Sequence, residues 1–143
     1  MRGRILAVDP GDVRIGIAIS DPMGVIASPF GVIRHVSRQI DAGQVAELAR
    51  QHEVTLIIVG QALGENGELT PQARKAQRFA DALKSQVAVP VVLWDESGTT
   101  QIARDTRLAM GVSRKKRQGH VDDLAATVLL QSFLDQAPLE KNE

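Results

Sequence analysis

The strongest constraint on the fold lies in the first twenty residues. Ile5-Leu6-Ala7-Val8 is continuously apolar, the pattern of a strand buried on both faces. It runs into Asp9-Pro10-Gly11-Asp12, a turn sequence. A second apolar run, Ile15-Gly16-Ile17-Ala18-Ile19, follows at once and stops at Ser20-Asp21-Pro22. The two runs read as a hairpin whose first strand is central to a sheet. Pro10 disfavours helical backbone at Asp9. The Asp9 carboxylate is therefore expected at a strand end, held by rigid extended backbone, as a metal or phosphate site requires.

The rest of the chain alternates strands and helices. Val25-Ile26-Ala27-Ser28 reads as a third short strand stopped by Pro29, which makes an antiparallel meander. Apolar spacing then predicts a helix over about residues 40–52, with Ile40, Val45, Leu48 and Ala49 on one face. Leu56-Ile57-Ile58-Val59-Gly60 reads as a buried strand, and residues 61–69 as a polar loop. Thr70-Pro71 is a helix start, with Thr as N-cap and Pro at the first helical position. That helix turns Ala73, Ala76, Phe79, Ala80 and Leu83 inward and Arg74, Lys75, Arg78 and Lys84 outward. After Pro90, Val91-Val92-Leu93-Trp94 is a last strand running into Asp95-Glu96. Thr99 or Thr100 can cap a helix reaching Met110. A basic loop follows, then a helix over about residues 121–134 with Val121, Leu124, Ala125, Val128 and Leu129 on its apolar face.

Strand–helix–strand units pair in parallel through right-handed crossovers. The expected fold is α/β: a mixed five-stranded sheet, three antiparallel strands then two parallel, with helices on both faces. One domain over residues 1–135 and a loose tail over 136–143 account for the 143 residues.

Bulk numbers narrow the function classes. The absence of cysteine excludes disulfides, zinc-thiolate sites and thiol nucleophiles. No apolar run approaches the roughly 20 residues of a membrane span, and no signal peptide is legible, so a cytoplasmic protein without a membrane partner is expected. Lys plus Arg and Asp plus Glu both number 17, so no global basic field draws in nucleic acid. Any such binding needs a local patch, a bound metal, or both. With three Phe, one Trp and no Tyr, a base-stacking platform is not expected.

Three acidic positions fall at element ends that this topology gathers together. Asp9 ends the first strand, Glu96 follows the last strand beside Asp95, and Asp122 and Asp123 open the final helix. Parallel strands finish on one side, where sites of open α/β sheets form. Hard oxygen ligands in one cleft suit Mg²⁺ or Mn²⁺. Each acid also has a plainer role: Asp9 in shaping the turn, Asp122 and Asp123 in complementing a helix dipole. Arg114, Lys115, Lys116 and Arg117 in the basic loop are either solvated surface or phosphate contacts. His120 adjoins the acids and suits proton transfer or helix entry.

Four stretches carry a family likeness: LAVDPGDVRIGIAISDPMGVIASP, IVGQALGENGELTPQARKAQRFADAL, WDESGTT and GVSRKKRQGHVDDLAATVLLQSFLD. Together they resemble the YqgF/RuvX family of Holliday junction resolvases over nearly the whole chain. The resemblance implies an RNase H-like fold and a divalent-metal-dependent nuclease. It implies action in 5′-end maturation of 16S ribosomal RNA, on branched DNA, or on both. Monomer and homodimer both stay open: symmetric cutting of a four-way junction favours a homodimer, and RNA trimming does not require one. It assigns Asp9, Glu96 and Asp122 as catalytic and metal-holding acids, ranks Asp123 below them, and implies nucleic-acid contacts from Thr99, Thr100, Arg114, Lys115, Lys116 and Arg117. Two departures stand out. Gly60-Gln61-Ala62 replaces Gly-Leu-Pro, and Ser97 replaces an arginine after Asp95-Glu96, which removes a phosphate-binding group. That change admits a second expectation, a nucleic-acid-binding module of the same fold without turnover. An actin-like ATPase opens with a similar hairpin, but it needs a second half-domain that this chain is too short to hold.

Overall fold

The computed structural model describes residues 2–95 and 114–136, with side chains for 2–95 and 124–136. Its elements are β1 (Arg4–Pro10), β2 (Arg14–Ser20), β3 (Ala27–Arg34), α1 (Arg38–Gln51), β4 (Val54–Gln61), α2 (Pro71–Lys84), β5 (Val91–Asp95) and α3 (Arg114–Gln136). The sheet order is β3-β2-β1-β4-β5. β1 pairs antiparallel with β2 and parallel with β4, and β5 continues the parallel half. The expected mixed sheet, with its first strand in the centre, is the observed one.

Side-chain alternation along β1 divides the interior in two. Leu6 and Val8 point to one face and join Ile15, Ile17, Ile57 and Val59 beneath α1 and α2. Ile5 and Ala7 point to the other and join Ala18 and Ile58 beneath Ala126, Leu129, Leu130 and Leu134 of α3. Trp94 and Phe133 close the second layer edge to face, with ring centroids 5.0 Å apart. Ser20, itself buried, accepts the Ile5 N–H at 2.8 Å and ties the first strand to the end of the second.

Local chemistry explains the helix starts. The Ser37 hydroxyl accepts the Ile40 N–H at 3.2 Å, and the Thr70 hydroxyl accepts the Ala73 N–H at 3.0 Å, with Pro71 in the first turn. Ile40 itself is 49% exposed, contrary to expectation, while Asp41 is only 1% exposed. The helix is rotated so that Asp41 accepts the Val36 N–H at 3.0 Å and meets the His35 ring. Satisfying a buried carboxylate outweighs covering one isoleucine at a helix end.

The third strand and the last helix also differ from expectation. β3 begins at Ala27 and continues through Pro29 to Arg34. It is an edge strand, so the missing N–H of Pro29 need not cost a ladder bond, and the register shifts beside it. Val25 and Ile26 belong instead to a turn organised by Asp21, whose carboxylate accepts N–H groups from Met23, Val25 and Ile26 at 2.8–3.1 Å. α3 starts at Arg114, so the basic run is helical rather than a loop. Arg, Lys and Gln are good helix formers, and one internal Gly is tolerated. Asp122 and Asp123 therefore lie two turns inside the helix, and its first turn holds no acid. The plain dipole role does not apply to them. The expected helix from Thr99 or Thr100, and the tail from residue 137, lie outside the described residues. Among the described residues, no helix is long and apolar enough to cross a membrane.

The backbone N–H groups of Ile26 and Val25 hold the Asp21 carboxyl below its ordinary value of 3.8. A lowered folded-state value stabilises above the unfolded value and is lost as pH falls through the folded one. Wild type should therefore be more stable than Asp21→Asn at neutral pH, with the difference shrinking below about pH 4. Parallel urea titrations at pH 7 and pH 3 check this. An equal difference at both would remove the carboxylate from the turn's stability.

Candidate active site

Asp9 is the next outward step along the alternation that buries Ile5 and Ala7. Its side chain thus belongs to the α3 face of the sheet, half-buried at the carboxyl end of β1. Its cross-strand partner on β2 is Gly16. On the other side β1 and β4 are in register at Val8 and Val59, so Gly60 comes level with Asp9 one step on, and Trp94 follows on β5. At the flanking positions of both neighbouring strands stands a glycine. Glycine in a buried strand costs stability and marks a place where another group approaches the backbone.

Beyond this row lie Pro10, Gln61 and Asp95, on the carboxyl edge shared by three parallel strands. The Gln61 side-chain oxygen is buried and has no hydrogen-bond partner among the described residues. Buried polar groups are normally satisfied, so this acceptor is available to a water, an ion or a hydroxyl. In the sequence its only signal was the departure from Gly-Leu-Pro.

α3 runs antiparallel to β1. At the helix's C-terminal end, Arg2 donates to the Leu134 carbonyl at 3.2 Å, next to the start of β1. Gln131 accepts the Ala27 N–H at 2.9 Å and donates to the Val25 carbonyl at 3.0 Å, at the same end of the sheet. The preceding turns of α3 therefore extend toward the end where β1 finishes. From residue 134 back to 122 the helix spans about 18 Å at 1.5 Å per residue. From residue 4 to 9 the strand spans about 17 Å at 3.3 Å per residue.

The structure thus places Asp9, and it places residues 114–117, 122 and 123 on α3. The side chains of Arg114, Lys115, Lys116, Arg117, Asp122 and Asp123 lie outside the described ones, as do Glu96, Thr99 and Thr100 entirely. Among the described residues, no three His, Cys, Asp or Glu side chains form a metal-holding group; Asp9 is the one expected ligand whose side chain is described.

Comparison with known proteins gives consistent findings. Residues 3–136 match the RuvX family, described as Holliday junction resolvase. The chain is 38% identical over 133 residues to a Roseiflexus protein named "Putative pre-16S rRNA nuclease", covering 93% of this chain and 94% of the relative. It is 40% identical over 133 residues to a Thermoanaerobacter pseudethanolicus protein of the same name, covering 92% and 96%. Among solved structures, Thermus thermophilus RuvC in complex with a Holliday junction substrate is similar at TM-score 0.57 and 17% identity, covering 94% and 95%. The Fowlpox virus resolvase with Holliday junction DNA is similar at TM-score 0.55 and 13% identity, covering 92% and 97%. These structural likenesses establish the RNase H-like fold.

The glycine flanking Asp9 makes a direct prediction. Gly60→Ala adds one methyl in the Asp9 row and suits a strand better than glycine does. Turnover on a nucleic-acid substrate should fall by about tenfold or more, since small misplacements of a reacting group are costly, while the thermal midpoint moves by only a few degrees. Unchanged turnover would mean that the row beside Asp9 is structural only.

Proposed function

We propose, on the premise that the chain belongs to the RuvX family, that Asp9, Glu96 and Asp122 form its catalytic centre and hold a divalent cation. The protein is a nuclease, a hydrolase of phosphodiester bonds. The observation that carries the assignment is the position of Asp9: on the α3 face, at the carboxyl edge, between two glycines. Glu96 directly follows the last residue of β5, which reaches the same edge. Position 122 precedes Ala126 by four residues and Leu129 by seven, the spacing of one helical face. That face packs on the sheet side to which Asp9 belongs.

The donor chemistry fits a hard ion. The proposed ligands are carboxylate oxygens, with Asp123 adjacent, and the chain has no thiolate to favour a softer metal. Mg²⁺ or Mn²⁺, when bound, supplies an activated water and stabilises the leaving oxygen. The chain's own work is positional. Asp9 sits on a central strand that cannot shift, and Gly16 and Gly60 let the phosphate approach the backbone. Residues 114–117 put four cationic side chains on the first turn of the helix that carries Asp122, where they draw in the phosphate backbone. Thr99 and Thr100 supply hydroxyl donors to the same phosphates.

Precursor 16S ribosomal RNA is the proposed substrate, supported by the names of relatives that match along nearly their whole length. Branched DNA is the second reading, supported by the family description. Ser97 in the arginine position motivates the opposite outcome, binding without cutting.

One assay separates these. Purified protein with Mn²⁺ should cut precursor 16S RNA, should be inactive when metal is omitted, and should lose activity by a factor of about 10³ or more on Asp9→Asn with the fold intact. Cleavage of four-way junctions alone would shift the substrate to DNA. Binding without cleavage of either would establish the inactive module. Replacing residues 114–117 by alanine should weaken binding and flatten the slope of log affinity against log salt, by about 0.7–0.9 for each phosphate no longer neutralised. An unchanged slope would return that turn to plain surface.

A further inference from the structure

The face of the sheet opposite Asp9 carries a second feature. A cavity of about 400 Å³ opens between the β1–β2 turn, the start of α1 and the first turns of α2. Its wall includes Gly11, Asp12, His35, Arg38, Lys75 and Arg78. At its base lies Asp41, only 1% exposed. One Asp41 oxygen accepts the Val36 N–H at 3.0 Å and the other meets His35 Nδ1 at 2.5 Å. One proton is shared between Nδ1 and that oxygen, whichever of the two atoms carries it. The buried carboxylate thereby orients a ring that is itself 40% exposed, the arrangement that fixes a histidine for use at its other nitrogen.

The charges around this cavity are unevenly committed. Asp41 is satisfied from within. Lys75 Nζ meets Asp12 at 2.8 Å, joining α2 to the β1–β2 turn. Arg38 and Arg78 have no hydrogen-bonded or ion-pair partner among the described residues. The N-terminus of α1, capped by Ser37, adds its partial positive charge at the same wall. Two uncommitted guanidiniums, an oriented imidazole and an exposed, displaceable lysine pair make a receptor for a doubly or singly charged oxyanion.

The cavity is also tied to the catalytic edge. Pro10, Gly11 and Asp12 line it, and they are the residues that follow Asp9. Three residues of chain span at most about 10 Å, within reach of a phosphate next to the one that Asp9 would face.

We propose that this cavity is a phosphate subsite that seats a backbone phosphate of the nucleic-acid substrate next to the bond that is cut. Arg38 and Arg78 hold the phosphate, His35 faces it with its outward nitrogen, and Lys75 leaves Asp12 to join them. The strand would then wrap the β1–β2 turn, with the scissile phosphate on the Asp9 face and its neighbour on the α1–α2 face. The inference rests on the nuclease reading for the owner of the phosphate, but not for the receptor itself.

The test uses the full chain carrying Asp9→Asn, so that binding is read without cutting. In this background Arg38→Gln with Arg78→Gln should weaken binding of precursor RNA or four-way junction DNA by about tenfold and lower the salt slope by about one. Asp12→Asn should act oppositely and tighten binding, because it releases Lys75. Matched circular dichroism melts guard against unfolding. Affinity and slope unchanged in both variants would overturn the subsite. If the parent chain binds neither nucleic acid and the wild type cuts neither, the nuclease reading fails. Inorganic phosphate then decides the receptor alone. A shift of the His35 ring resonances that vanishes in the double-arginine variant supports it, and no shift in either protein overturns it.

Discussion

Burial of β1 on both faces is the constraint on which the rest of the structure depends. Leu6 and Val8 pack under α1 and α2, Ile5 and Ala7 under α3, and all four are at most 2% exposed. Burying a large aliphatic side chain contributes about 1.5–3 kcal/mol, so the strand is anchored from both sides. It is also bonded to a neighbour along each edge. A slip of one residue would exchange the two faces and expose or crowd every one of these side chains. The face on which Asp9 emerges is therefore set by core packing. No local interaction of the carboxylate has to set it.

That anchoring gives the carboxyl edge two distinct sides. On the α3 side Asp9 stands between two glycines, Gly16 and Gly60, on the neighbouring strands. On the α1–α2 side the turn after Asp9 meets a cationic cavity with a buried Asp41 beneath it. The net charge of the chain is zero, so attraction of a polyanion has to be local. The proposed sources are residues 114–117, in the first turn of α3, and the cations of the cavity wall.

Much of this was legible in the residues. The continuous apolar run of β1, the parallel strand Val54–Gln61 and the Thr70-Pro71 helix start follow from burial and capping rules that act locally. What escaped was decided by neighbours. Pro29 looks like a strand stop, but β3 is an edge and tolerates it. Ile40 looks like a core residue, but Asp41 takes the buried position once His35 and the Val36 N–H meet it. The basic run at 114–117 looks like a loop beside glycines, yet it is the first turn of α3. For the site, periodicity placed Asp9 correctly at a strand end, whereas the cavity was invisible because Lys75 and Arg78 read as an ordinary outward face. The assignments of Glu96, Asp122 and Asp123 come from element order and family membership.

The central claim is that acids distant in sequence share one cation at the carboxyl edge. Hydroxyl-radical scission from bound iron tests it most directly: Fe²⁺ replaces Mg²⁺, and ascorbate with peroxide cuts the backbone beside the ion. The account predicts cuts clustered near Asp9, Glu96 and Asp122, competed by Mg²⁺ and abolished together in Asp9→Asn. Cuts confined to one of the three segments, or a pattern indifferent to Asp9→Asn, would contradict it.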